Sequence, residues 1–593
     1  MRAKMIRPRS ASLSCPRRCG ETPAAVKSLL LRLFGIGSVA PWLPVFLLVA
    51  ATQAAEPSPV ALGLLDRFWR YSAVLGPFLE NGYALEVVPD YLRQGDFPYP
   101  KRPFSQEVLF ADHLSVVRLL GGYNDHSNDG PGDAAVRARD LAWRDGDGKI
   151  RYRLELLRPR LQPWIDAGYT DLTLVLDNVP WCFPETPGIR ASYGQGVPPR
   201  DPVEWGEFVG ALCREVVAIM GQEAANRLRF RVGTENNGKE RFDGTPEQYF
   251  RHYEASARAI KAVLPGAKVG PFNISGISEG GVAKHNVNAY ALAETAVARG
   301  LPYDWVSYSR YFRPGEDPAW HAQTCLAVWR EFERRVPSLQ GVSREIHEFG
   351  IAPWGEVAKG VFPSAEPGAN GGALTCQMMW RLRAAGINRL WHWGMSERIR
   401  TKGGELELLT GGPAWVLSVL EHMAGGDAYL IEPERSPKGE GTFLAAASVR
   451  GDRTLLMISA YHPDIAEHAR QIVEFRVAGR LLPTGGRGEV RATWLTRQTS
   501  SYDEVRRDLA AAGLLAPDFI QRPDRLGNVK QMADDRKGSV VVAAQLPKYR
   551  QMWVDSLTLK PLDASVGTVR RDASGLTISA QLAPPMMLVV ELR

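Results

Sequence analysis

At 593 residues the chain is too long for one ordinary core, so roughly two to four domains, or one large barrel with a smaller module, are expected. With 45% hydrophobic and 23% charged residues it reads as a folded globular protein, which excludes a disordered or low-complexity one. The formal charge of +7 is carried by the first 55 residues, where eight basic residues face Glu21 alone; the remainder is near neutral, and no nucleic-acid partner is indicated.

Residues 1–55 read as an export leader. A basic stretch precedes the apolar run IGSVAPWLPVFLLVAA, and small residues suited to cleavage follow at Ala54 and Ala55. The run is short for a membrane span and holds two prolines, so a periplasmic or secreted product without stable membrane insertion after signal cleavage is expected. Beyond the leader, Cys182, Cys213, Cys325 and Cys376 are widely spaced with no CxxC, which excludes a short-spaced zinc motif. One disulfide is compatible with export, but no pairing can be deduced.

From about residue 110 to 425, strand-like runs alternate with amphipathic helices. The strand candidates are residues 115–122, 172–179, 227–235, 268–273, 305–312, 343–350 and 389–395, with another upstream in NGYALEVV (81–88) or nearby. Between them, DPVEWGEFVGALCREVVAIMG places Trp205, Phe208, Val209, Leu212, Val216 and Met220 on one helical face. A second helix opens on Thr245 as N-cap, with Pro246 in the first turn and Gln248 closing a capping box. Repeated βα units imply a (β/α)8 TIM barrel over residues 56–425. After residue 426 short alternating runs separated by turn residues imply an antiparallel β-sandwich over 426–593, interrupted by one helix at 501–515.

In such a barrel the chemistry lies where the strands end. The strand ends deliver Arg118, Asp177, Glu235, Asn273, Tyr311, Glu348 and Trp393. Glu235 and Glu348 each terminate an apolar strand, with aromatics nearby. Two carboxylates at one mouth suit glycoside cleavage: one protonates the leaving oxygen, and the other attacks the anomeric carbon or activates water. Trp181, in the loop DNVPWCFP, is either a sugar platform or a packed loop anchor, and Asn236 and Asn237 either hold hydroxyls or form the turn.

The stretch FRVGTENNGKERFDGTPEQYFRHYEASARAIKAVLPGAKVG resembles the acid/base segment of glycoside hydrolase family 39, which includes β-xylosidases, α-L-iduronidases and exopolysaccharide glycosidases. SREIHEFG resembles that family's nucleophile strand, LWHWGMSE its eighth-strand segment, DWVSYSRYF its sixth and VVRLLGG its second. TRQTSSYDEVRRDLAAAGLL and PPMMLVVEL are similar to its C-terminal sandwich, so the likeness runs over about residues 110–593. The resemblance implies a retaining enzyme with Glu235 as general acid/base and Glu348 as nucleophile. It puts Trp393 under the sugar, Tyr311 beside it and Arg118 behind the nucleophile. It implies a glycan substrate, of bacterial exopolysaccharide or xyloside type, and no metal or organic cofactor.

The sequence departs from the family pattern at three places. The family's Trp-Asn-Glu-Pro is Gly233-Thr234-Glu235-Asn236 here, its sixth-strand His is Ser309, and His347 precedes Glu348. The family Asn holds the sugar 2-hydroxyl, a contact that Thr234 is too short to copy directly. These departures bear on the substrate, and they keep a carbohydrate-binding pseudoenzyme as the alternative function. An envelope interaction protein, with the barrel mouth serving a protein partner, is a third reading.

Overall fold

The apolar runs become strands where their β-branched and aromatic residues place them. The computed structural model describes residues 59–66, 69–72, 78–79, 82–83, 90–99, 106–108, 140–166, 172–187, 189–191, 194–239, 241–276, 282, 286–312, 316–351, 368–392, 396–400, 406–435, 441–463, 468–483, 488–514 and 536–593. Pro57–Arg593 form one compact unit. The strands of its principal sheets are β1 (Val60–Leu64), β2 (Trp69–Ser72), β3 (Gln106–Val108), β4 (Thr173–Leu176), β5 (Arg229–Val232), β6 (Lys268–Pro271), β7 (Trp305–Phe312), β8 (Ser343–Ile351) and β9 (Arg389–His392). They continue with β10 (Asp427–Ile431), β11 (Thr442–Arg450), β12 (Arg453–Tyr461), β13 (Gln471–Ala478), β14 (Val490–Thr496), β15 (Lys560–Pro561), β16 (Gly567–Asp572), β17 (Gly575–Leu582) and β18 (Met586–Leu592).

Eight parallel strands form one sheet in the order β6-β5-β4-β3-β2-β9-β8-β7. This corrects the expectation of a closed (β/α)8 barrel: the sheet is open, with β6 and β7 as its edges. Local chemistry keeps these two edges from forming a ladder. Val269 N–H donates to the Asp304 carboxylate at 2.6 Å rather than to a strand carbonyl. Pro271 has no N–H to give. The Trp305 indole lies against Gly270 so closely that a Cβ there would fall 2.2 Å from the ring. Among the described residues the edges meet through the bridge of Ile274 with Tyr308 and through the Asp304 N–H, which donates to the Val269 carbonyl at 3.1 Å. Among the described residues the first strand of the sheet is β2, upstream of NGYALEVV, while Gly82–Tyr83 pair with Phe78–Leu79. The candidate strand at 115–122 lies outside the described residues.

Helices α1 (Pro202–Met220) and α2 (Pro246–Val263) flank β5 in the chain. Asp201 caps α1, its side chain accepting from Val203 N–H, while Trp205, Phe208, Val209, Leu212 and Val216 are buried. The cap is worth about 1 kcal/mol, whereas each buried side chain contributes roughly 1.5–3 kcal/mol, so packing decides this helix. The Thr245 capping box on α2 forms as the sequence implies, with both reciprocal bonds present. Tyr249 on α2 sends its hydroxyl to the Val232 carbonyl at 2.7 Å, fixing the end of β5.

A seven-stranded antiparallel sheet, β1-β10-β11-β12-β18-β14-β15, takes its edge strand from the start of the described chain. A three-stranded sheet, β13-β17-β16, shares an apolar core with it, including Ile458, Leu588, Phe475 and Ile578. The helix at Ser501–Ala511 is joined by a second, Arg536–Ser556, that the sequence analysis did not identify. Cys182, Cys213, Cys325 and Cys376 are all free thiols. Among the described residues no helix is long and apolar enough to cross a membrane.

Candidate active site

Parallel strands end together, so residues just past β5 and β6 converge with residues in the C-terminal halves of β7 and β8. Glu235 follows β5 with φ of +50°, and Asn178 follows β4 with φ of +57°. These are the two non-glycine residues with positive φ among the described residues, and they sit on adjacent strands. Backbone strain of this kind costs roughly 1–3 kcal/mol and persists where the surroundings enforce it, which singles out this rim. Gly233, with φ of +88°, makes the turn possible: a Cβ there would lie 2.0 Å from Asn236 Oδ1. The Asn236 side chain is thus folded back onto the turn.

A β-bulge aims the second glutamate. In β8 the register against β7 passes from Tyr308–Ile346 to Ser309–Glu348, so His347 is an extra residue. The same irregularity appears against β9. Strict alternation would put Glu348 on the face opposite Glu345 and His347. The bulge instead turns Glu348 toward the strand ends, where Tyr311 Oη donates to Oε2 at 2.8 Å and Asn273 Nδ2 to Oε1 at 3.3 Å. Asn273 also donates to Ser309 Oγ at 2.6 Å. Bulges commonly re-aim a side chain next to a reactive centre.

Glu348 is 5% exposed. Burial first, then repulsion from Glu235, push its carboxyl up to about 7, while Arg241, Arg231 and the Tyr311 hydrogen bond act in the opposite direction. Glu235 is the more open of the two and pairs with Arg241 at 3.5 Å. The Tyr311 hydroxyl is held well above its usual range by burial and by the two glutamates. It therefore stays protonated and donates.

Beneath the glutamates lies a layer of charge. Arg231, fully buried, donates from Nε to the Gly233 carbonyl at 3.0 Å and from Nη2 to Thr234 Oγ1 at 2.8 Å. Its Nη1 lies 3.1 Å from His347 Nδ1. A guanidinium only donates, so Nδ1 is the acceptor and the His347 proton is on Nε2, which meets Glu345 Oε2 at 2.6 Å. Burial lowers His347 to about 3, so the ring is neutral. Glu345 also takes Arg229 Nη2 at 2.6 Å. Burial alone would raise Glu345, but Arg229, His347 and Arg389 outweigh it and hold it well below the carboxylate range.

The structure therefore brings together Glu235, Glu348, Tyr311, Thr234 and His347. Thr234 is buried and faces Arg231. Asn237 is structural, since its amide holds Ser275 through Nδ2 to the carbonyl at 3.1 Å and Oδ1 from the amide at 3.0 Å. Asp177 accepts from Asn178 N–H at 2.9 Å. Trp181 is buried, and its backbone N–H is held by Asp140 at 2.8 Å, which favours the loop-anchor reading over an open platform. Arg118 and Trp393 lie outside the described residues. Sequence reasoning missed Arg231 and Arg241. The alternation of Arg229 and Arg231 in an apolar strand was the available signal for the first.

Residues 186–354, which hold both glutamates, match the model of glycosyl hydrolases family 39. The chain is 26% identical over 212 residues to an alpha-1,4-L-rhamnosidase of Formosa agariphila, covering 34% of this chain and 41% of that protein. It is 29% identical over 119 residues to a beta-xylosidase of Caldicellulosiruptor saccharolyticus, covering 20% of this chain and 22% of that one. The aligned segments thus span less than half the length of these curated relatives. A monomeric beta-xylosidase from Caulobacter crescentus CB15 superposes with a TM-score of 0.58 at 14% identity, over 90% of this chain and 98% of that structure. A GH39 enzyme from Xanthomonas axonopodis pv. citri gives 0.51 at 15%, over 76% and 85%. The structures share the fold, and the glutamate-bearing segment is homologous to family 39.

Proposed function

We propose that this protein is a retaining glycosidase acting on a polysaccharide or oligosaccharide of bacterial exopolysaccharide or xyloside type. The observation that carries the reading is the pair of glutamates from β8 and the turn after β5, one nearly buried with its carboxylate held by Tyr311 and Asn273 and both acting on each other's charge. The family match over the segment holding both supports it. Glu348 Oε attacks the anomeric carbon as the glycosidic C–O bond breaks. The departing oxygen takes its electron pair and the proton of Glu235. Glu235 then accepts a proton from water as that water displaces Glu348. Tyr311 and Asn273 hold the Glu348 carboxylate in line. Retention calls for carboxyl groups about 5–5.5 Å apart. The leader at 1–55 supports action outside the cytoplasm.

One observation favours a second reading, a glycan-binding pseudoenzyme: Thr234 is buried and bonded to Arg231, so it does not copy the family Asn. The two readings separate in one assay. New reducing ends are counted on xylan, bacterial exopolysaccharides and aryl glycosides for wild type, Glu235→Gln and Glu348→Gln. Cleavage lost in both variants supports the enzyme. Glycan binding without cleavage in all three supports the pseudoenzyme.

A further inference from the structure

The two strands that carry the glutamates are not neighbours. Along the sheet, β4, β3, β2 and β9 lie between β5 and β8. Yet side chains 116 positions apart in sequence join them directly, at two successive levels. Arg229 and Arg231 are spaced i, i+2, as are Glu345 and His347, so both pairs project from the same face. The lower level is Arg229 with Glu345, and the upper is Arg231 with His347. Trp305 braces the lower level, its ring 4.3 Å from the Arg229 guanidinium.

We propose that Arg231 is a positioning residue that registers the two glutamates, acting through Thr234 and His347, the residues immediately before each of them. The inference rests on the reading of Glu235 and Glu348 as the reacting pair. Three donor directions of one rigid guanidinium are engaged: the Gly233 carbonyl, Thr234 Oγ1 and His347 Nδ1. Two of these fix the strained turn that presents Glu235. The third fixes the bulge that presents Glu348. His347 accepts from Arg231 only while neutral and only with its proton on Nε2, and Glu345 enforces that tautomer. Burying this many charges is costly, and an apolar layer of equal volume would be the cheaper way to fill the space. What the polar layer adds is directional hold on two loops at once.

The charge of Arg231 also reaches Glu348. The groups acting on Glu348 are Glu235, which raises it, and Arg241, Arg231 and Tyr311, which lower it. Those acting on His347 are Glu345, which raises it, and Arg231 and Arg229, which lower it. Removing the Arg231 charge therefore makes Glu348 harder to ionise and His347 easier to protonate.

The test compares Arg231→Met, Arg231→Lys, His347→Gln and His347→Phe in the full chain. Glutamine copies both contacts of His347, since its oxygen accepts from Arg231 and its amide donates to Glu345. Phenylalanine keeps bulk and loses both. On a cleaved aryl glycoside, Arg231→Met and His347→Phe are expected to lower kcat by about 10–100-fold, the scale of a small misplacement of reacting groups. KM should change little. Arg231→Met should also shift the acid limb of kcat/KM to higher pH, and His347→Gln should restore most of kcat. Imidazole 15N shifts give a readout free of turnover: a neutral Nε2–H ring in the wild type, altered in Arg231→Met. Unchanged kcat and pH limb in Arg231→Met, or equal loss in both His347 variants, overturns the proposal, as does a different His347 tautomer. A wild type with the expected shifts that cleaves none of the panel instead sinks the glycosidase reading and leaves the network a structural one.

Discussion

Glu348 is a buried carboxyl whose ionisation is opposed by burial and by Glu235. The proposed mechanism needs it ionised. It also needs Glu235 protonated, so the pair must hold one proton, and activity is expected to fall as pH rises through the range in which that last proton is lost, near 7. In Glu235→Gln the repulsion is gone, so Glu348 should ionise at lower pH, read as the acid limb on a substrate whose leaving group needs no acid. On a poor leaving group the same variant should lose roughly 10²–10⁴ in kcat, the usual contribution of a general acid. The glutamates and Tyr311 were legible in the sequence because each ends a periodic apolar run. Thr234 and His347 stand out in the sequence as departures from the family pattern, but their shared partner Arg231 does not. That contact joins residues far apart in the chain, and no local period encodes it.

Elements fix what these residues can do. The buried pair Arg229–Glu345 ties β5 to β8, and both side chains are almost wholly out of water. Glu345→Gln removes the buried carboxylate that faces Arg229 and is expected to destabilise the fold by about 3–5 kcal/mol, visible as a fall in Tm. Gly233→Ala meets Asn236 at a positive φ and is expected to cost about 1–3 kcal/mol. The variant should also lose activity beyond the stability loss, because the turn carries Glu235. Strands β5, β7 and β8 were readable from their apolar runs, and the capping box on α2 from Thr245, Pro246 and Gln248. The bulge at His347 was not readable. It changes no residue pattern and shows only in the pairing with β7 and β9.

The assembled molecule is less regular than repeated βα units suggest. The parallel sheet stays open where the Asp304 carboxylate takes the Val269 N–H and Pro271 has no N–H to give. A sequence pattern counts strands but does not show where an edge will be blocked. The same holds for β1, which leaves the start of the chain to pair with β10. Its removal, by deleting residues 57–66, exposes the edge of β10, and a lower Tm with concentration-dependent aggregation is expected in light scattering.

The role of Glu348 as nucleophile is tested most directly by intact-protein and peptide mass spectrometry after incubation with a 2-deoxy-2-fluoro glycosyl donor matched to a cleaved substrate. One glycosyl adduct is expected, carried by Glu348 and absent from Glu348→Gln. Cleavage of the parent substrate with no adduct, and with inversion at the anomeric carbon of the product, would contradict a covalent role for Glu348.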